Sequence, residues 1–264
     1  MSINPCPLHV AFRSFVAGAL RTGFAGALIA LATHVQAAGL AVVAPNAVKE
    51  ALVDIASKFE KETGRPVKFT WGGSEAITRR IAEGEVFDVV VSTAPSVGRM
   101  VDDGKVDGAS RIDFSRSAVG VAARPGLPRP DLSTVDGLRA ALLGAQSVAI
   151  SSGASGRHLE QVFQQLGIAQ QLKGRIVQPP SGAQIGEMLA RGEADLGFQQ
   201  VTELMHAKGF VYLGPLPAEV QNYTVWSSAV HVGATQAEAA RAFIRALAAG
   251  DAAPALRKTG LEPM

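Results

Sequence analysis

From Leu40 onward, short apolar runs rich in β-branched residues alternate with longer stretches whose apolar positions recur every three to four residues. Few folds accept that pattern. Each short run is a strand buried on both faces, and each longer one is an amphipathic helix that must cover it. Strands alternating with helices imply an α/β architecture with largely parallel sheets.

The spacing predicts strands at 40–44, 66–71 and 87–92, with helices over 47–62, 74–83 and 96–102 between and after them. Gly64 and Gly84 are expected to stop the first two helices. Ala118–Ala123 reads as a further strand, followed by a proline-rich stretch from Arg124 to Pro130. A second series follows, with helices at 135–143, 156–166 and 183–191 and strands at 147–150, 175–177, 195–199 and 210–213. A strand at 223–232 and helices at 236–249 and 251–258 finish the chain.

The first forty residues follow a different logic. Arg13 and Arg21 are their only basic side chains apart from histidine, and no acid accompanies them. The apolar run Phe24–Ala32 precedes Val35-Gln36-Ala37, which sets small residues at the −3 and −1 positions of a cleavage site. This is the layout of a secretory signal peptide over residues 1–37, too short in its apolar part to span a bilayer. An exported, periplasmic protein is expected, cut near Ala37. Cys6, the single cysteine, lies before the apolar run, so no lipid-anchored mature cysteine is expected. Without the leader, 23 basic residues face 23 acidic ones. The slight basicity of the whole chain belongs to the export signal and does not point to nucleic acid.

Ligands of such folds collect at the carboxyl ends of strands, where turns feed helix N-termini. Four turns carry that signature: Ala44-Pro-Asn-Ala47, Trp71-Gly-Gly-Ser-Glu75, Ser151-Ser-Gly-Ala-Ser-Gly-Arg-His158 and Pro180-Ser-Gly-Ala-Gln184. Asn46 and Ser74 are placed to cap helices, and the glycines allow close backbone approach. Free backbone N–H groups and the positive end of a helix dipole together suit an anion.

Two stretches give the chain a family likeness. Trp71-Gly-Gly-Ser-Glu-Ala-Ile-Thr-Arg-Arg-Ile-Ala-Glu-Gly84 leads into Phe87-Asp-Val-Val-Val-Ser92, and Ala190-Arg-Gly-Glu-Ala-Asp-Leu-Gly197 lies further on. With these the chain resembles the periplasmic molybdate-binding proteins, type II solute-binding proteins of ABC importers, from about Leu40 to its end. The resemblance implies two α/β lobes joined by a two-strand hinge that close on a ligand. Lobe 1 would comprise 38–118 with 226–264, and lobe 2 119–225. The chain would cross near Ser117–Ala123 and return near Tyr223–Val230. It further implies a small anionic ligand, an ABC permease in the inner membrane as partner, a monomeric state, and no cofactor or metal ion.

Binding positions carry over unevenly. The first-loop serine of molybdate binders falls at Asn46 or Ala47, and the second-loop serine on Ser74 beside Gly73. A backbone amide falls around Ala154, Ser155 and Gly156, another near Gln184 or Ile185, and a tyrosine position on Gln200. Glu75 and Arg157 add charges where neutral donors suffice for a tetrahedral oxyanion. An arginine beside a helix N-terminus suits a carboxylate held by two hydrogen bonds. An organic polycarboxylate is therefore expected ahead of molybdate.

Aconitate isomerases also resemble molybdate-binding proteins, which opens an enzymatic alternative to ligand capture. Their reaction is an allylic proton shift between trans- and cis-aconitate, and it needs a base near the substrate methylene. Glu75 and His158 are the candidates. Other chemistries lack their motifs. There is no phosphate-binding G-x-x-x-x-G-K-[ST] loop and no G-x-S-x-G elbow, and His158, His206 and His231 show no zinc spacing.

Overall fold

A computed structural model describes residues 39–205 and 208–264. The signal-peptide reading of residues 1–37 lies outside the described residues.

The N-terminal series is β1 (Leu40–Pro45), α1 (Lys49–Thr63), β2 (Val67–Gly72), α2 (Ser74–Ala82), β3 (Val89–Thr93) and α3 (Ala94–Asp102). β1 lies parallel to both β2 and β3, each reached by a crossover helix. Gly64 takes a left-handed backbone (φ 68°) and its N–H donates to Glu60 O at 2.8 Å, ending α1 as expected. The register buries Val42, Val43, Val89, Val90 and Val91 completely. α1 packs Leu52, Ile55 and Phe59 against this sheet, where Phe59 meets Phe243 edge to face.

β4 then runs unbroken from Val106 to Ala123. Only residues 118–123 were expected to be strand, because the preceding stretch (Asp107, Gly108, Ser110, Arg111, Asp113, Arg116) holds no apolar run. Its partners explain it. Val106–Ala118 lies antiparallel to β9 (Tyr223–His231), with its polar side chains partly exposed, whereas Val119–Ala123 pairs with β7 and β8. β4 thus passes from one half of the sheet system to the other between Ala118 and Val119.

The second half contains α4 (Val135–Gly144), β5 (Val148–Ile150), α5 (Ala154–Gln165), α6 (Ala169–Leu172), β6 (Ile176–Val177) and α7 (Ile185–Ala190). Next come β7 (Leu196–Gln200), α8 (Val201–Leu204) and β8 (Val211–Pro215). β5 is parallel to β6 and β7 over its own core of Leu138, Leu142, Leu159 and Phe198. After β9, helices α9 (Ala237–Ala248) and α10 (Ala253–Lys258) return to the first half, and β10 (Glu262–Pro263) pairs with β4. The strand order is β2-β1-β3-β9-β4-β7-β5-β6. This is the type II periplasmic-binding-protein fold, two α/β lobes with β4 and β9 as the connecting strands.

Two polar networks hold the parts in place. Asp88, buried before β3, accepts hydrogen bonds from Ala41 N (2.9 Å), Thr235 N (2.9 Å) and Gln236 N (2.9 Å). It therefore ties β1 to the start of α9, and the Asp of the Phe87–Ser92 motif is a structural acceptor. Where β4 changes partners, Trp226 Nε1 donates to Ser117 Oγ (3.0 Å), Ser117 Oγ donates to Gln200 Oε1, and Gln200 Nε2 donates to Thr224 Oγ1 (2.9 Å).

Candidate functional site

All four predicted turns line one cavity between the lobes. Pro45-Asn46-Ala47 follows β1, and Gly72–Glu75 follows β2. Ser151–Ser155 follows β5, and Pro180–Ala183 follows β6. Gln199, Gln200, Glu203 and Trp226 complete the wall beside the crossing strands.

The chemistry of the turns is that of an anion site. α2 and α5 start after Gly73 and Gly153, neither of which supplies a side-chain cap. Their first N–H groups and positive dipole ends belong to turns that line the cavity. Ser74, expected as a cap, is instead the first residue of α2, 8% exposed and part of the cavity lining. Ser155 bonds Ser151 through their hydroxyls at 2.8 Å. The expected cap at Asn46 does not form. The short turn 46–48 begins without a side-chain cap, and Asn46 Nδ2 instead donates to Gly182 O across the cleft at 3.1 Å.

That bond belongs to a closed arrangement. Arg157 of α5 forms an ion pair with Glu75 of α2, and Ser181 Oγ donates to Glu75 Oε2 at 3.4 Å. A Cβ on Gly73 would lie 2.1 Å from Ser181 Oγ and 2.7 Å from Gly182 N, so only glycine lets the two turns pass this closely. The cavity left between them is about 50 Å³. At roughly 10–15 Å³ per water position, that accommodates a few waters or a compact anion. A six-carbon tricarboxylate would hold the lobes further apart.

The candidates divide as follows. Asn46, Ala47, Gly73, Ser74, Glu75, Ala154, Ser155 and Gln200 line the cavity. Arg157 stands at its edge through Glu75. Gly156, Gln184 and His158 do not line it. Gly156 is a packing glycine, because a Cβ there would sit 1.6 Å from Ser151 O. The His158 imidazole, the other catalytic candidate, has Nε2 2.7 Å from Val220 O. The Ile185 N–H, expected to meet a ligand, already donates to Gln199 Oε1 at 2.9 Å. Gln200, on the tyrosine position, has its amide committed to Ser117 and Thr224.

Glu203 was not anticipated. It sits in α8, a single helical turn directly after β7, where Oε1 accepts from Gln199 Nε2 (2.9 Å) and Gln184 Nε2 (3.5 Å). Burial pushes its carboxyl up to about 7, although the hydrogen bonds from Gln184, the Gln200 backbone and Gln199 pull the other way. The one sequence clue was position, an acid just past the carboxyl end of a strand.

Two α/β lobes joined by paired strands, with a cavity between them lined by helix-starting turns, define a solute-binding fold of the hinged type. The chain belongs to the bacterial extracellular solute-binding protein family, which it matches over residues 40–262. An aconitate isomerase from Pseudomonas sp is 34% identical over 251 residues, covering 90% of this chain and 95% of that protein. The molybdate-binding protein ModA of Azotobacter vinelandii is 28% identical over 66% of this chain and 69% of its own. In solved structures, the Azotobacter vinelandii periplasmic molybdate-binding protein superposes with a TM-score of 0.72 at 25% identity, covering 84% of this chain and 98% of that one. The sulfate-binding protein SubI from Mycobacterium tuberculosis gives 0.69 at 20% identity, over 86% and 87% of the two chains.

Proposed function

We propose that this protein is an exported, two-lobed isomerase that takes an organic polycarboxylate into its cleft and interconverts trans- and cis-aconitate. In this reading residues 1–37 are the export signal and the periplasm is the destination. Residues 38–118 with 226–264 form the first lobe and 119–225 the second.

The observation that carries the reading is the Arg157–Glu75 pair at the cavity edge. A tetrahedral oxyanion is satisfied by neutral N–H and O–H donors alone. A guanidinium beside the α5 N-terminus, already paired with a carboxylate across the cleft, is placed to take a ligand carboxylate. The full-length similarity to an aconitate isomerase supports the same class of ligand.

Incubating the mature protein with trans-aconitate in heavy water and following the vinyl proton by NMR tests the activity. Conversion to cis-aconitate with deuterium entering the carbon skeleton is the expected result. An unchanged spectrum would sink the isomerase reading. Replacing Arg157 by alanine tests the anchor. Because the pair is largely exposed, stability should change by less than about 1 kcal/mol. Affinity for trans-aconitate should fall about tenfold or more, as expected for loss of a charge-assisted hydrogen-bonded pair. Unaltered affinity by calorimetry would remove Arg157 from the site.

A second reading is anion capture for an ABC importer. The small volume of the closed cavity favours it, since a compact oxyanion fits without reopening the lobes. Thermal shifts with molybdate, tungstate, sulfate, citrate and aconitate separate the two. Stabilisation by the metal oxyanions alone would select capture.

A further inference from the structure

An allylic proton shift requires one group in the cleft that can accept a proton from carbon and give it back. Among the described residues that line the cavity there is no histidine, lysine, cysteine or tyrosine; the two described side chains able to exchange a proton are Glu75 and Glu203. Glu75 is engaged by the Arg157 guanidinium and by the Ser181 hydroxyl. Its carboxylate is occupied by these contacts, and the pair already has a role in holding the ligand or the closed lobes. Glu203 lines the cavity just past the carboxyl end of β7. It is held by two glutamine side chains and by no cation among the described residues.

We infer, building on the isomerase reading, that Glu203 is the catalytic residue that takes the substrate's methylene proton and returns it to the former vinyl carbon. In the step, Glu203 removes H⁺ from the CH₂ carbon and the C–H electron pair becomes the new C=C bond. The old π pair then forms a C–H bond at the other terminus of the allyl unit with the proton Glu203 has carried. Nothing is oxidised or reduced, no group leaves, and the carboxyl ends as it began. The positive ends of α2 and α5 and the Arg157 guanidinium hold the charge that spreads onto the substrate carboxylates while the proton is away.

The surroundings of Glu203 suit that task. Gln199 is locked in place, its Oε1 accepting from Ile185 N and its Nε2 donating to Ala183 O at 3.2 Å as well as to Glu203. Glu203 is thereby fixed in orientation. Burial leaves its carboxyl poised between acid and base near neutrality, where proton transfer in both directions is most effective.

The test uses the mature protein and its Glu203→Gln and Glu203→Asp variants, with trans-aconitate in heavy water. Wild type should convert substrate, with deuterium entering in those turnovers in which the Glu203 carboxyl exchanges its proton with solvent before returning it. Glu203→Gln should lose both by at least about a thousandfold while still being thermally stabilised by trans-aconitate. Glu203→Asp, which keeps the acid but withdraws it from the substrate, should fall about ten- to a hundredfold with binding retained. It also serves as the reporter should the glutamine variant not fold. If wild type and Glu203→Gln turn over alike, Glu203 is not the proton carrier and the isomerase reading stands without it. If Glu203→Asp matches wild type in rate, the positional claim fails as well. If wild type shows neither conversion nor exchange, the isomerase reading falls and this assignment with it.

Discussion

Replacing Glu203 by glutamine is expected to stabilise the protein by about 3 kcal/mol at pH 8 and to change little below pH 4.5. The folded-state carboxyl is raised by burial to about 7 from an ordinary value of 4.5. Between those two values the folded protein holds a proton that the unfolded chain has released, so wild-type stability falls as pH rises through this window. Above about pH 7 the full penalty is in place, and 2.5 units at about 1.36 kcal/mol each set its size. Glutamine has the same shape and still accepts from Gln199, but carries no charge to desolvate. Urea melts of both proteins at pH 4.5, 6 and 8 measure the difference directly. Tyr212, on β8 against α8, is raised above its ordinary value by burial and stays neutral throughout. His231, lowered by burial and then by the Lys105 charge, titrates in both proteins and cancels in the comparison. A stability difference that does not vary with pH would mean that the Glu203 carboxyl is not held neutral by its surroundings. With a ligand anion bound, the same charge works against affinity at high pH, so binding and folding should lose free energy over the same range.

Most of the scaffold is legible in the amino-acid sequence, for a physical reason. Strands buried on both faces, such as Val89–Thr93, cannot avoid being continuous apolar runs, and helices covering them cannot avoid helical spacing. The half of β4 before Ala118 escaped because it pairs antiparallel with β9 and faces water on one side. Its Asp107, Arg111 and Asp113 conform to no apolar run, and only the tertiary pairing makes them a strand. The turns of the site were legible through their Gly-Ser chemistry, and all four line the cavity. Three details were not. Asn46 looked like a cap and is a cross-cleft donor, because its partner Gly182 is remote in sequence. His158 has its Nε2 beside Val220 O, which is also remote in sequence. Glu203 had no pattern at all, since what gives a lone glutamate its chemistry is desolvation by residues distant in the chain.

Gly73→Ala is expected to weaken binding of a compact oxyanion such as sulfate, the ligand that fits the closed cavity of about 50 Å³, by about a hundredfold or more, without unfolding either lobe. Gly73 has φ −88° and ψ 155°, a conformation any residue adopts, so alanine costs nothing in backbone strain. The obstacle is entirely across the cleft. The added Cβ would lie 2.1 Å from Ser181 Oγ and 2.7 Å from Gly182 N. The serine side chain can rotate away, but the Gly182 backbone cannot yield without moving its turn. Gly182 itself has φ 91°, which leaves that turn little room to rearrange. The substitution therefore leaves the open form untouched and penalises the closed one, together with the Asn46–Gly182 and Arg157–Glu75 contacts that closure makes. Ligand affinity in a hinged clamp is reduced by the fraction of molecules able to close, so a few kcal/mol against closure appears directly in Kd. Small-angle scattering should show wild type contracting when ligand is added and the variant remaining expanded at the same ligand concentration. Circular dichroism should be the same for both. If the variant closes and binds like wild type, the Gly73–Gly182 approach is not a condition of closure, and the closed arrangement described for these turns would have to be abandoned.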